Sequence, residues 1–351
     1  MKKISKKIIF IFLFICLLNV NNVFAKDKEQ QNQSNYTKTY TYINPLYKDV
    51  ITEKDLVKKE PFNDSRKPIV TYATEQVPTS IAEVAEKLKD NLKKRNDTII
   101  VSIKVPSDKD FQLLIREIVN EAMKHTGDST EGDYLQWQYG GWNCSASYFE
   151  QDCFITYTLT YTFTYYTTIE QETELTNELK NVYASLNLKG SDYEKITTIY
   201  NYIINNVKYD YDNLDDYTNR LKFTAYAALI NKKAVCQGYA LLLYRMALDN
   251  GIDARLIAGY GNGGAHAWNI IKIGKYYYNA DSTWDAAYTK YENLPYYLKS
   301  NNSFTSHIRN EEYNTDDFNK LYPMSTNDYD IYQENERLIL NQEKNIFLCS
   351  P

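Results

Sequence analysis

The spacing of apolar residues changes once along the second half of the chain, and this change limits the fold more than any other feature. Before Gly251 the apolar residues recur at helical spacing, which predicts amphipathic helices. After it they recur at every second position, which predicts antiparallel strands joined by short turns. The three strand-like runs are 254–260, 265–273 and 275–280. Helices followed by a strand meander are typical of an α+β fold in which helices pack on an antiparallel sheet.

Several helices are predicted ahead of that meander. One covers about 170–186, and the next opens at Ser191 and Glu194, whose spacing is that of a capping box. A short helical stretch follows at 224–230. The last is a strongly apolar helix that begins next to Cys236.

The sequence pattern of residues 69–168 predicts a smaller α+β unit. Apolar residues at helical spacing predict helices after Ser80 and over 108–124, and a β-branched run at 98–103 predicts a strand between them. Alternating aromatic and β-branched residues between 134 and 168 predict two or more strands. No arrangement typical of a catalytic site occurs in this unit, so its role is not predicted.

The N-terminus has the order of a secretory signal peptide. Four lysines and no acid occupy positions 1–7, an apolar run follows over 8–18, and the small residue Ala25 closes the segment. The apolar run is shorter than the ~20 residues that cross a bilayer, so cleavage after residue 25 is favoured over an uncleaved anchor. A lipid on Cys16 is disfavoured because bulky Ile15 precedes it. We therefore expect a secreted protein, extracellular or associated with the cell envelope.

The net charge argues against nucleic-acid binding. The chain of 351 residues has 40 Lys+Arg and 45 Asp+Glu, and cleavage after residue 25 removes four lysines, which leaves 36 bases against 45 acids. No basic stripe remains that would bind nucleic acid or an anionic membrane by counterion release.

Cysteine is sparse for an exported protein. Cys16 leaves with the signal, and the remaining cysteines are too few for a disulfide framework. They are Cys144, Cys153, Cys236 and Cys349. Cys144 and Cys153 flank a polar segment and are the candidate pair for a disulfide that closes a hairpin. Two unpaired, small apolar side chains are the alternative.

Three reactive side chains stand at three distinct positions in the second half. Cys236 begins a predicted helix, where the helix dipole and free N–H groups favour a thiolate. His266 follows 30 residues later on the second predicted strand, and Asp281 follows 15 residues after that at the end of the third. An imidazole takes the thiol proton and returns it to a leaving group, while a carboxylate orients the ring. Because neighbouring strands bring same-face residues into contact, the spacing predicts a Cys-His-Asp triad.

Two other interpretations of these residues carry less weight. A single cysteine beside an apolar helix is commonly a core thiol, but His266 and Asp281 in matching positions favour catalysis. A structural zinc site built from these three side chains would need a fourth ligand. Such ligands often come in close pairs, but no CxxC or HxxxH pattern occurs in the sequence.

An acidic turn invites a calcium interpretation. It departs from an EF-hand loop, because Leu214 stands at a ligand position and the turn glycine is missing. Its acidic residues are Asp210, Asp212, Asp215 and Asp216. The turn is therefore predicted to be solvated, and neither a metal nor any other cofactor is expected.

The residues around the three reactive side chains resemble those of a known family. Ala-Val-Cys-Gln-Gly-Tyr-Ala at 234–240, Gly-Ala-His-Ala-Trp-Asn at 264–269 and Asp-Ser-Thr-Trp-Asp at 281–285 are similar to motifs of the bacterial transglutaminase-like family. The likeness extends over about 165–307. Ala234 departs from the family pattern, since many members have Gly there, but a small residue is retained. The resemblance implies a papain-like cysteine fold whose members are transglutaminases, deamidases or peptidases.

By this resemblance Cys236 is the nucleophile, His266 is its base and Asp281 orients that base. Tyr226 and Gln237 are candidates for an oxyanion or cleft position, although a packed helix tyrosine is the plainer role for Tyr226. Default roles are assigned to four other side chains. These are Trp268 and Trp284, as cleft walls or core, and His125 and His307, as structural or surface residues.

The resemblance implies a cysteine acyltransferase that carries a Gln-type carboxamide or peptide carbonyl on Cys236 as a thioester and passes it to a primary amine. Its partners would then be proteins or peptidoglycan peptides. A peptidase, amidase or deamidase that uses water is the alternative, and a non-catalytic envelope-binding or scaffold module is a second one. The predicted organisation is a signal peptide (1–25), a polar linker (26–68), an N-terminal α+β domain of unknown role (69–168), a transglutaminase-like catalytic domain (169–310) and a C-terminal extension (311–351).

Overall fold

The computed structural model describes residues 36–43, 77–287 and 294–330. Outside them lie the predicted signal peptide (1–25), most of the predicted linker (26–68), the end of the predicted extension (331–351) and Cys349. Within the described ranges, no helix is long and apolar enough to cross a membrane.

An antiparallel sheet and two helices form the first part of the described chain. The strands are β1 (Tyr36–Ile43), β2 (Thr98–Pro106), β3 (Tyr139–Gln151) and β4 (Phe154–Tyr165), in the order β1-β3-β4-β2, and the helices are α1 (Ile81–Lys93) and α2 (Phe111–Ala122). Ile99, Val101 and Ile103 are buried while Ile100 is exposed, so one face of β2 is covered. That face shares a single apolar core with α1 and α2.

Strand β1 lies inside the segment for which a polar linker is predicted. It pairs antiparallel with β3, from Tyr36 opposite Tyr148 to Ile43 opposite Gly141. The structure therefore differs from the predicted linker over these eight residues. Tyr and Thr alternate there, which suits a strand, but the polar composition of the whole segment conceals this short pattern.

The second part of the chain begins with a series of helices. They are α4 (Ile169–Leu186), α5 (Asp192–Asn206), α6 (Ala225–Leu229) and α7 (Cys236–Asp249), whereas the short helix α3 (Asp133–Gln136) lies earlier, between α2 and β3. The predicted capping box is confirmed at the start of α5, where the Ser191 side chain accepts from the Glu194 N–H and the Glu194 side chain accepts from the Ser191 N–H. Helix α7 is the central helix, since every residue from Gln237 to Leu248 is buried.

Helix α7 packs against a second antiparallel sheet. Its strands are β7 (Ala254–Gly261), β8 (Gly264–Ile273), β9 (Tyr276–Ala280) and β10 (His307–Arg309), in the order β10-β7-β8-β9. A parallel pair, β5 (Lys208–Tyr209) and β6 (Lys233–Ala234), lies just before α7. The predicted three-strand meander and the α+β class, with helices packed on an antiparallel sheet, are confirmed.

The described part of the predicted C-terminal extension adds to the same core. It contains a 3₁₀ helix at Glu311–Tyr313 and the helix α9 (Asp316–Leu321). Tyr313 and Phe318 are buried against the residues of α7 and the second sheet. Residues 311–330 thus complete the fold around the sheet.

The predicted disulfide between Cys144 and Cys153 is wrong, because both are free thiols. Cys144 is buried in the middle of β3 opposite Tyr161, whereas Cys153 is exposed in the turn between β3 and β4. With a strand rise of ~3.3 Å per residue, the two lie about 20 Å apart, far beyond the ~7 Å that a disulfide spans between Cα atoms. The sequence separation is compatible with a hairpin, but Cys153 lies in its turn, while the cross-strand partner of Cys144 is Tyr161.

Candidate active site

Cys236 is the first residue of α7, and the chain before it is fixed by backbone pairing. The N-cap is Val235, which has no side chain able to cap the helix. The first N–H groups of a helix have no partner within the helix, so those of Cys236 and Gln237 are available beside the thiol. The Val235 N–H donates to the Lys222 carbonyl at 3.0 Å and the Asp210 N–H donates to the Ala234 carbonyl at 3.0 Å.

Gly238 lets α7 approach the preceding segment closely. A Cβ on this residue would lie 2.7 Å from the Ala234 Cβ and 2.9 Å from the Thr224 carbonyl oxygen. Any other residue would therefore push the first turn of α7 away from its support. The glycine of the 234–240 motif thus has a steric role in setting the position of Cys236.

Strands β8 and β9 bring His266 to Asp281. The His266 Nε2 lies 2.7 Å from the Asp281 Oδ2, and the two side chains are 8% and 0% exposed. The second ring nitrogen, Nδ1, is then left for the Cys236 side chain, to which His266 also hydrogen-bonds. The structure therefore brings together Cys236, His266 and Asp281, the three side chains that the sequence predicts as a triad.

The pair of His266 and Asp281 is strongly polarised. Burial by itself lowers the pKa of His266, but the charge of Asp281 and the hydrogen bonds to Asp281 and Cys236 raise it to about 10. Burial likewise raises the pKa of Asp281, and the charges and N–H groups of His266 and His307 outweigh this and lower it to about 2. At neutral pH the imidazole is thus held as a cation against a carboxylate.

Each oxygen of the Asp281 carboxylate accepts two hydrogen bonds. Its Oδ1 accepts from the backbone N–H groups of Thr283 at 2.9 Å and Trp284 at 3.2 Å, at the start of α8 (Ser282–Ala287). Its Oδ2 accepts from His266 and, at 3.0 Å, from His307 Nε2. The ligand-type atoms of His266, Asp281 and His307 lie within 4.8 Å of one another, a spacing that also suits a metal ion. In this structure the three are joined by hydrogen bonds.

The two predicted cleft tryptophans differ in exposure. Trp284 is half-buried and its ring stacks 5.1 Å from the His266 ring, so it lines the site. Trp268 is buried, and its Nε1–H donates to the Asn279 Oδ1 at 3.3 Å, behind His266. Gly261 leaves room for this wall, because a Cβ there would lie 2.8 Å from Trp284 and 3.1 Å from His266.

Two predicted oxyanion or cleft side chains are committed elsewhere. The Tyr226 hydroxyl donates to the Glu174 carboxylate at 2.7 Å on the exposed side of α4. The Gln237 side chain is buried, and its amide donates to the Trp137 carbonyl at 2.7 Å. An oxyanion role for these side chains is therefore not supported, although the Gln237 backbone N–H remains at the helix start.

Tyr209 is a neighbour of Cys236 that no sequence motif indicates. Burial and then the charges of Cys236, Tyr211 and Asp281 raise the pKa of Tyr209. The Tyr211 ring lies 4.8 Å from the Tyr209 ring and is 72% exposed.

The acidic turn after Tyr209 is organised by lysines. Lys222 is buried and donates to the carbonyls of Leu214 at 3.0 Å and Asp216 at 2.9 Å. Lys233 lies 3.2 Å from the Asp210 carboxylate. Main-chain oxygens thus bind an ammonium group here, which holds the turn beside the segment that precedes Cys236.

The sequence of this region matches a known family. The profile of the Transglutaminase-like superfamily matches residues 181–284, which contain Cys236, His266 and Asp281. The chain carries a transglutaminase-like core. This superfamily typically comprises cysteine enzymes, and the papain-like transglutaminase fold predicted from the three motifs is confirmed.

Comparison with solved structures gives distant likenesses to this chain. One is a TGase with 16% identity and a TM-score of 0.31, over 53% of this chain and 51% of the other. A protein provisionally named a cysteine protease, from Cytophaga hutchinsonii, has 16% identity and a TM-score of 0.29, over 48% and 61%. A protein provisionally named a protease, from Parabacteroides distasonis, has 14% identity and a TM-score of 0.23, over 50% and 38%. The match thus spans about half the length of the first structure. No curated protein matches the sequence.

His307 touches Asp281 directly, whereas the sequence predicts only a structural or surface role for it. The chain has only three histidines, and His307 and Arg309 alternate with exposed Ile308 as on a half-buried strand. That alternation was the available signal. It covers only three residues, so it is too short to predict β10 or its pairing.

Proposed function

We propose that the protein is a cysteine acyltransferase that forms a thioester on Cys236 and passes the acyl group to a primary amine. The observation that carries this proposal is the position of Cys236 at the start of α7 next to the hydrogen-bonded pair of His266 and Asp281. A thiol so placed reacts as a thiolate, while the adjacent imidazolium holds the proton.

The first half-reaction follows from this geometry. The Cys236 thiolate attacks the carbonyl carbon of a carboxamide or peptide, and the oxyanion forms near the backbone N–H groups of Cys236 and Gln237. When the C–N bond breaks, His266 gives its Nδ1 proton to the departing ammonia or amine. A thioester remains on Cys236, and His266 is neutral.

The second half-reaction reverses these roles. A primary amine attacks the thioester carbonyl, His266 takes the proton that the nitrogen loses, and the C–S bond breaks to return the thiolate. Asp281 keeps the ring oriented and stabilises its cation in both steps. The product is a new amide, which is a cross-link when the amine belongs to a lysine or a wall peptide.

The choice of an amine over water is supported by the dry surroundings of the base. The His266 side chain is only 8% exposed and the Trp284 ring covers it, and exclusion of water disfavours hydrolysis of a thioester. Water as the acceptor would instead give a peptidase, amidase or deamidase. A protein with neither activity would instead be a non-catalytic envelope-binding or scaffold module.

The test is to incubate the protein with a small fluorescent amine and a mixture of glutamine-containing and wall-type peptides, then to score attachment against cleavage by mass. Attachment that requires both Cys236 and His266 is expected. Cleavage without attachment would favour the hydrolase, and neither product would favour the scaffold. Cys153→Ala is the matched control, because Cys153 is an exposed free thiol in the turn between β3 and β4.

We further propose that the substrate is an exported protein or a peptidoglycan peptide. Support comes from the basic, apolar and small-residue order of residues 1–25. The mass of the protein recovered from the medium or envelope of expressing cells should correspond to a chain that begins at Lys26. A retained N-terminus would argue against this proposal.

A further inference from the structure

The Asp281 carboxylate is shared between two imidazoles. His307 Nε2 lies 3.0 Å from the same Oδ2 that accepts from His266 at 2.7 Å. The His307 side chain is 1% exposed, so this contact lies in the protein interior. His307 is on β10, a strand separated from both β8 and β9 in the chain, and nothing in the proposed reaction uses it.

The surroundings of His307 fix which nitrogen carries the proton. Asp281 is a carboxylate and can only accept, so the facing Nε2 must carry hydrogen. The other nitrogen, Nδ1, lies 3.0 Å from the Ser306 hydroxyl and accepts from it. The titratable side chains that face His307 are Asp281, His266 and Tyr296, whose ring is 5.8 Å away. Burial lowers the pKa of His307, which agrees with a neutral donor.

We infer that His307 is a positioning residue of the acyl-transfer site, which holds the Asp281 carboxylate with its Nε2–H and limits how much of that charge acts on His266. The inference rests on the proposed function for its consequence in turnover. His307 touches Asp281 and not the thiol, so its effect on Cys236 passes through Asp281 and His266.

The physical reason lies in the complete burial of Asp281. A carboxylate without water depends on hydrogen bonds to stay ionised, and His307 supplies one of the two donors to Oδ2. Without that donor the carboxylate accepts a proton at a somewhat higher pH, but its pKa is lowered to about 2, so it stays ionised near neutral pH. Its undivided charge then stabilises the His266 cation, and with it the Cys236 thiolate, more strongly, which moves the alkylation profile to lower pH.

Packing is a second role that His307 fills, and it must be separated from the first. Its ring stacks 3.9 Å from the Phe304 ring and lies 4.3 Å from the Trp284 ring. His307→Phe keeps a ring in this aromatic cluster but removes the donor. His307→Gln keeps a side-chain N–H but removes the ring. Each variant therefore keeps one of the two roles of His307 and removes the other.

The experiment measures the rate of Cys236 alkylation by iodoacetamide against pH in the whole protein, read by peptide mass with Cys153 as the internal reference. In His307→Phe we expect the profile to shift to lower pH and the rate on its acid side to rise about tenfold, the size of one hydrogen bond to a charged group. His307→Gln should keep the parent profile. The reverse pattern, or two unshifted profiles, would overturn the inference.

A gentler variant covers the case in which His307→Phe fails to fold, as judged by thermal unfolding. Ser306→Ala removes the hydroxyl that fixes the His307 tautomer and should shift the profile in the same direction by a smaller amount. An unchanged profile in Ser306→Ala, with His307→Phe unfolded, would also count against the inference.

Alkylation needs no substrate, so the two proposals can fail separately. If the alkylation profile shifts in His307→Phe but the parent protein turns over no amide, the acyltransferase proposal is wrong and the positioning role of His307 stands. If the parent turns over an amide but all variants share its alkylation profile, the acyltransferase proposal stands and the positioning role of His307 is wrong.

Discussion

The sheet of β2, β3 and β4 buries an almost wholly apolar face against α1 and α2, whereas the sheet of β7 to β10 buries carboxylates, amides and imidazoles among its apolar residues. Buried polar groups destabilise a fold unless every one is hydrogen-bonded. The first region uses burial for stability. The second region buries polar and ionisable side chains that stability alone would not select, and these side chains lie around Cys236.

Asp285 illustrates this difference close to the site. It is fully buried, and its carboxylate accepts from the Tyr200 hydroxyl at 2.6 Å and the Tyr296 N–H at 3.1 Å. Burial raises the pKa of Asp285 to about 7. Asp281, four residues earlier, has a pKa lowered to about 2, since imidazoles face it. Environment, not residue type, separates the two carboxylates.

The largest effect is expected when the same substitution is made in each region. Cys236→Ala should reduce amine attachment to background without unfolding the protein, because it removes the atom that forms the thioester. Cys144→Ala, in the buried face of β3, is the matched control and should lower thermal stability while leaving attachment intact. Attachment scored by mass checks both. Turnover retained by Cys236→Ala would remove the mechanism altogether.

A smaller effect is expected from Asp281→Asn. The amide fills the same space but does not stabilise the imidazolium, so turnover should fall by roughly 10²- to 10⁴-fold, as for other triads. Asp285→Asn is the control, since Asp285 is equally buried but does not contact His266, and it should cause a much smaller loss. Equal rates for Asp281→Asn and the parent would make Asp281 purely structural.

The contrast between the regions also predicts a pH dependence of stability. The pKa of His266 is raised to about 10, so its contribution is fully present below the unfolded value near 6.5 and is lost as the pH rises through about 10. The difference in unfolding free energy between the parent and His266→Gln should therefore shrink from pH 6.5 to 10. Denaturant titrations at several pH values measure it. A constant difference would mean that the ion pair does not stabilise the fold.

Sequence patterns predicted the parts of the fold that are locally encoded. The capping box at Ser191 and Glu194 fixes the start of α5 within a few residues, and period two identifies β7 to β9. The triad followed from residue types at the ends of these elements. Each of these features lies within one element or between neighbours in the chain.

Features that depend on distant pairing could not be predicted. Strand β10 has three residues, and only its pairing with β7 turns His307 toward Asp281. Cys144 and Cys153 are near in sequence, yet the length of β3 separates them. Tyr226 suited an oxyanion role by residue type, but α4 supplies Glu174 as its partner. Each depends on contacts that the local sequence does not specify.

The smallest effect on the site is expected from a cavity in the first region. Leu114 on α2 is fully buried, and Leu114→Ala should lower the free energy of unfolding by roughly 2–5 kcal/mol. Leu113→Ala on the same helix is the control, because Leu113 is 54% exposed. The regions touch at several points, among them the Gln237 bond to the Trp137 carbonyl, the pair of Arg255 and Asp133 at 2.7 Å, and the bond between His125, just after α2, and Tyr244 on α7 at 3.1 Å.

Leu114 itself makes none of these contacts, so the alkylation rate of Cys236 in the folded Leu114→Ala protein should equal that of the parent, even as its unfolding transition moves to lower denaturant. Urea titration and iodoacetamide labelling of the same samples measure the two quantities together. A fall in Cys236 reactivity under native conditions would mean that the apolar region helps to set the geometry of the site. The apolar core would then act on the chemistry through α3, and the separation of stability from chemistry between the two sheets would not hold.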